Sequence, residues 1–178
     1  MDLIKDYLPP ADKGYLPYYM LTLSLIAVGN SFQNYKTLHY TRRLYNGLFV
    51  PNKSLPAASA TFAPADQTNK LSPAPGSPTP SAKDGQQSED QVTPLAARLF
   101  GTYTLISAIV RIYASYNLHL APIYNIALWT YIVAALHFGS EWAVFKTTHF
   151  GKPLFFPAFF ASIGITWMVT QRGFYVEV

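Results

Sequence analysis

Cysteine is absent from the 178 residues, which excludes disulfides and thiolate metal sites and says nothing about compartment. Charge is scarce: 12% of the chain is Asp, Glu, Lys or Arg, about half the usual share. Acids are scarcer still, nine in all, and Glu141 is the one that falls inside a long apolar run. Basic runs with interleaved aromatics are missing, so nucleic-acid binding has no footing. There is no Gly-x-Gly-x-x-Gly, Gly151-Lys152-Pro153 is not a phosphate loop, and no serine sits in a nucleophile elbow. His39, His119 and His149 lie in separate connections, whereas a metal site needs roughly three or four converging ligands. No cofactor and no metal are expected. The opening residues Met1 to Asp6 carry two acids, and Pro9 and Pro10 follow before any apolar run, so the pattern is not that of a signal peptide. The first hydrophobic helix is expected to act as its own signal anchor.

What is abundant is apolar and aromatic: half the residues are hydrophobic and 16% are Phe, Trp or Tyr. These concentrate in four runs separated by polar connections, which predicts an all-α, polytopic membrane protein with a bundle of four transmembrane helices. The expected spans are 16–35, 95–117, 122–145 and 153–170, with tails over 1–15 and 171–178. Pro17, Pro94, Pro122 and Pro153 suit first-turn positions, where a missing N–H costs nothing. The first span is the weakest, because Asn30, Gln33 and Asn34 share one face of it; that face is expected to turn toward other helices or to leave the membrane. Residues 36–50, with Arg42 and Arg43 among Leu38, Tyr40, Leu44 and Tyr45, read as an interfacial amphipathic segment or as a polar loop. Residues 51–94 are rich in Pro, Ala, Ser and Thr with one aromatic, Phe62. Such a stretch buries too little apolar surface to offset its ordering entropy and predicts a disordered linker. Lys36, Arg42, Arg43, Lys53, Lys83, Lys146 and Lys152 fall on one side of a four-span arrangement, against Lys5, Lys13 and Arg172 on the other. The positive-inside rule then makes the linker cytosolic and both termini lumenal.

Two patterns inside the spans call for explanation. Ala97, Gly101, Thr104 and Ala108 lie on one stripe of the second span, with Arg111 continuing it, and Ala135, Gly139 and Ala143 form a ridge on the third; small residues in such rows let membrane helices approach closely. His137 and Glu141, at i, i+4 spacing, share the face of the third span nearly opposite its ridge. A carboxylate in a membrane helix needs a partner. Reflecting the second and third spans through their short connection brings Glu141 level with Arg98, which predicts an Arg98–Glu141 ion pair. Arg111 is expected to snorkel toward the nearer connection or to bond Asn125 or Tyr124. Arg98, Glu141, His137 and Arg111 therefore read as an intramembrane polar clamp that fixes helix register, with an acid/base site as the competing reading.

Lys13-Gly-Tyr-Leu-Pro17, Ala97-Arg-Leu-Phe-Gly-Thr-Tyr103, Ser107-Ala-Ile-Val-Arg-Ile-Tyr113, His137-Phe-Gly-Ser-Glu141 and Trp167-Met168 resemble, in order, the ergosterol biosynthetic protein 28 family. The resemblance covers nearly all of 13–50 and 95–175, with 51–94 as an insertion. It implies a non-enzymatic scaffold of the endoplasmic reticulum membrane that tethers the enzymes of sterol carbon-4 demethylation: a methyl oxidase, a dehydrogenase/decarboxylase and a keto-reductase, with sterol 24-methyltransferase also associated in fungi. It brings no catalytic residues. Membrane lipid and a second copy of the chain are the other partners expected. Two alternatives remain open: a small sterol isomerase-like membrane enzyme using His137 and Glu141 as acid and base, and a sterol or lipid carrier with a cavity between its helices.

Overall fold

The structure, a computed structural model, describes residues 8–10, 14–45, 49–51, 71–73 and 92–176. Its body is four long helices: α1 (Leu16–Lys36), α3 (Pro94–Tyr116), α4 (Ala121–Ala143) and α5 (Lys152–Thr170). Two short helices accompany them, α2 (His39–Leu44) after α1 and α6 (Arg172–Tyr175) after α5. Each long helix opens with proline in its first turn, where the fixed φ is already helical. At α3 the Thr93 hydroxyl also accepts from the Ala96 N–H at 3.1 Å, a side-chain N-cap. Three of these helices, α3, α4 and α5, are long and apolar enough to cross a membrane. That makes the chain a multi-pass membrane protein.

The long helices run up and down and form a ring, α1 to α3 to α4 to α5 and back to α1. Leu16 and Met20 at the start of α1 pack with Ala114 at the end of α3. At the other end Tyr35 meets Thr102 at 2.6 Å between hydroxyls. The α3–α4 hairpin is closed by residues 117–120, and α5 returns beside α4, with the Tyr124 hydroxyl donating to the Met168 carbonyl at 2.6 Å. α5 reaches α1 through Tyr19, whose hydroxyl donates to the Phe160 carbonyl at 2.6 Å and whose ring lies 5.7 Å from Trp167. One core cluster joins Leu16, Met20, Tyr124, Ala127, Tyr131, Met168 and Tyr175; a second, at the opposite end, joins Leu44, Phe138 and Leu154. Hydroxyls within the helices donate back to their own backbone, as Ser24 does to Met20 and Thr104 to Phe100, which satisfies them where water is scarce.

Several details of the fold bear on the expectations. The C-terminal stretch is not only a tail: Tyr175 on α6 is buried in the first cluster, and its hydroxyl accepts from the Leu16 N–H at 3.4 Å. Gly14, at φ +72°, makes room for it; a Cβ there would meet that hydroxyl at 2.8 Å. The polar face of α1 takes in part the first of its two expected courses, toward other helices: Asn34 is buried and accepts from Thr41 at 2.8 Å, while Gln33 is exposed. α2 packs one face on the bundle: Thr41, Arg42 and Leu44 are buried, with Leu44 on Phe138, while His39 and Arg43 are exposed. Within the expected linker, Leu71–Pro73 pairs antiparallel with Phe49–Pro51. Nearly all the rest of 51–94 lies outside the described residues, as does most of the expected tail 1–15.

Candidate functional site

The His137 face of α4 meets Tyr103 of α3 and, through its ring nitrogen, the C-terminal end of α2. The Tyr45 hydroxyl, at the C-terminal cap of α2, lies 2.6 Å from His137 Nε2. On the other side of the ring, Nδ1 is 3.8 Å from Glu141 Oε1. A proton on Nδ1 points at the carboxylate and leaves Nε2 free to accept from Tyr45. Burial first, then the charge of Glu141, holds the Tyr45 hydroxyl above its ordinary range, so it stays protonated and donates. Glu141 Oε2 accepts from the Thr147 hydroxyl, and the Thr147 N–H donates to the Glu141 carbonyl at 3.0 Å. Lys146, at φ +60°, supplies the left-handed step that turns the chain back for this. The result is a row: Tyr45, His137, Glu141, Thr147. It borders a cavity of about 500 Å³ whose wall includes Thr41, Phe100 and Tyr103. With 34% of the His137 side chain and 20% of Glu141 accessible, the pair can be hydrated, which lowers the cost of the carboxylate without a bound cation.

The expected Arg98–Glu141 contact does not form. Arg98 is exposed, and no ion pair among the described residues joins it to Glu141. Depth was matched correctly, since Tyr103 and Phe100 do stand opposite His137 and Phe138, with ring centroids 6.4 and 6.5 Å apart. Direction was not: helix side chains lean toward their own N-terminus, so on antiparallel helices Arg98 and Glu141 lean apart.

The same lean corrects Arg111. It does not reach outward toward the 117–120 connection. It leans inward, where Nε donates to Thr130 Oγ1 at 2.8 Å, one terminal nitrogen donates to the Thr130 carbonyl at 3.2 Å, and the guanidinium carbon sits 3.9 Å over the Tyr131 ring. Arg111 is thus separate from the His137 row. It faces a second cavity, of about 570 Å³, enclosed by the four long helices.

The two small-residue rows part company. Ala97 is buried against Leu38, Ala108 is buried, and Thr104 is half-buried. A Cβ on Gly101 would meet Asn34 and Ser31 of α1 at 3.2 Å. On α4, by contrast, Ala135 is half-buried while Gly139 and Ala143 are exposed, and a Cβ on Gly139 would meet nothing within 4 Å. Tyr45, Thr147, Thr130 and Tyr131 are the functional residues that sequence spacing did not single out. For Thr130 and Tyr131 the signal available was the α-helical lean, which moves the partners of Arg111 about one turn from plain reflection; Tyr45 and Thr147 come from connections, where that signal does not reach. Among the described residues no three His, Asp or Glu side chains converge to hold a metal.

Comparison with known proteins matches residues 16–166 to the family model described as Erg28 like protein. The chain is similar to ergosterol biosynthetic protein 28 of Gibberella zeae, 54% identical over 177 residues that cover 99% of each chain. It is 33% identical to the Candida albicans protein of that name, over 97% of this chain and 96% of the other, and 29% identical to that of Saccharomyces cerevisiae, over 98% and 91%. No solved structure matches.

Proposed function

The chain belongs to the Erg28 family, and from that membership we propose that it is a non-catalytic scaffold of ergosterol biosynthesis in the endoplasmic reticulum membrane. It crosses the membrane four times, with α1 as the first span, the linker cytosolic and the termini lumenal. It tethers the carbon-4 demethylation enzymes (methyl oxidase, dehydrogenase/decarboxylase and keto-reductase) together with sterol 24-methyltransferase. The relatives' names refer to ergosterol biosynthesis and to no reaction. The observation that carries a docking role is the open ridge of Ala135, Gly139 and Ala143: the chain leaves unpacked a row of the kind that lets another membrane helix approach closely. Replacing Gly139 by Leu fills the ridge without touching the bundle core. Affinity purification in mild detergent should then recover less of the sterol demethylation enzymes, while the melting temperature holds. Unchanged recovery would sink the ridge as the docking surface.

A second reading has one observation in its favour, the Tyr45–His137–Glu141 row beside a cavity. If that row moves protons for a sterol isomerisation, purified protein alone turns over substrate and Glu141→Gln abolishes turnover. If it is a clamp, purified protein has no turnover and Glu141→Gln lowers the melting temperature.

A further inference from the structure

The cavity within the ring of helices is built unlike a packing defect. Its volume, about 570 Å³, lies in the range of ligand sites. Its walls are apolar along most of their length, with Leu23, Ile26, Ala134, Phe156, Phe160 and Ala161 contributed by α1, α4 and α5. On α3 it extends from Phe100 to Arg111, about 16 Å by helical rise. Asn30, Gln33 and Tyr40 stand toward one end, and Arg111 stands at the other.

Arg111 is the feature that a passive interior does not account for. A guanidinium carries five N–H donors, and two nitrogens of Arg111 donate, both to Thr130. Among the described residues no carboxylate reaches it: the one acid there is Glu141, eleven positions from Thr130 along α4, or about 16 Å. A cation in a low-dielectric interior without an anion is costly. Two further polar groups stand beside it. The hydroxyl of Tyr131 is buried without a hydrogen-bond partner, and that of Tyr103 has Ser107 alone near it, all three being residues of this cavity's wall.

The way in lies between two exposed apolar side chains. α1 and α5 touch through Tyr19, but beyond it Ile26 and Phe156 line the cavity and remain 63% and 57% exposed. A ligand entering between them comes from the bilayer, not from water.

The geometry points to a binding site, inside the ring of α1, α3, α4 and α5, for a lipid that bears one acidic group. Its anionic head pairs with Arg111, within reach of the Tyr103 and Tyr131 hydroxyls, and its apolar body fills the cavity. A guanidinium favours a carboxylate or phosphate because two of its N–H groups match two oxygens. The site goes beyond the tethering role and does not depend on it.

The test uses the full chain in uncharged detergent and fluorescent parinaric acid as the probe, with its methyl ester as the uncharged control. The acid should bind at least tenfold more tightly than the ester, and Arg111→Gln should remove that preference while Arg111→Lys retains part of it. Equal binding of acid and ester, or an Arg111→Gln variant that keeps the preference, overturns the proposal. Should Arg111→Gln fail to fold, Ile26→Trp narrows the opening far from the cation and should weaken acid and ester alike; no effect on either would equally overturn it. Phosphatidic acid in nanodiscs that displaces the acid, where phosphatidylcholine does not, assigns the head to a phospholipid. Displacement by neither assigns it to a carboxylated lipid. Enzyme recovery in the purification above should be the same for Arg111→Gln as for the parent, so the two proposals fail separately.

Discussion

His137 joins two elements through its two ring nitrogens, Tyr45 of the α2 cap on one and Glu141 of its own helix on the other. Tyr45→Phe keeps the ring, 5.7 Å from Phe100, and removes only the hydroxyl. The loss should be about 1 kcal/mol, the ordinary worth of one hydrogen bond, read as a lower melting temperature in detergent. His137→Phe should cost a similar amount, and the double variant should show strong coupling between the two. Additive losses would mean the contact contributes nothing. The same hydroxyl gives a pH dependence of known sign. Its folded pKa is raised above the ordinary 10, so its contribution is fully present below pH 10 and is lost as pH rises through the folded value. Between pH 9 and 11.5 the parent should lose stability more steeply than Tyr45→Phe. Parallel slopes would show that the raised value is not real. At this scale the sequence told which residues had to find partners and roughly how deep they lie. It missed Tyr45 and Thr147 because α2 and the turn at Lys146 bring in side chains from connections, and it mispaired Arg98 because reflection carries no lean.

Among the elements, the glycines of the helices divide by what faces them. A Cβ on Gly164 of α5 would come within 2.9 Å of the Tyr131 ring, which is 1% exposed and held by Arg111 on its face. Gly164→Ala must therefore push a buried ring, and the cost should be about 1–3 kcal/mol, as for overpacking elsewhere. Gly139→Ala meets nothing and should gain slightly from helix propensity. Thermal melts of the two single variants check this, and equal shifts would contradict the packing described. Both glycines lie in apolar runs of the sequence, and nothing in the spacing separates them. Helix ends were far more legible. Proline in the first turn, and Thr93 before Pro94, mark starts by local chemistry alone, whereas the facing of a ridge depends on the partner helix. Ala97 and Gly101 turned inward to α2 and α1 and Ala108 is buried, while Gly139 and Ala143 face outward, though both rows are small residues three or four apart.

For the whole molecule, the issue is α1. Ser24, Asn30, Ser31, Gln33 and Asn34 keep it out of the set of helices apolar enough to cross a membrane on composition. Yet Ser24, Ser31 and Asn34 are buried, bonded within the helix or to α2, while Leu25, Ile26 and Phe32 are exposed. Its buried side thus carries polar groups as well as Leu16 and Met20, and its exposed side carries Leu25, Ile26 and Phe32 beside Thr22 and Gln33, a distribution that favours lipid around it. Its length, 21 residues or about 31 Å, matches the hydrocarbon thickness. It also runs antiparallel to α3 from Leu16 at Ala114 to Ser31 at Gly101, so it shares the depth of a helix that is itself apolar enough to span. Because the chain has no cysteine, single cysteines can report this without background. Lys36→Cys and His149→Cys, both at exposed positions, should react with an impermeant maleimide from one side of sealed microsomes. Tyr15→Cys and Leu120→Cys, also exposed, should react only after the membrane is opened. If the residues at 15 and 36 label from the same side, α1 does not cross, and the four-span scaffold with its lumenal termini is wrong.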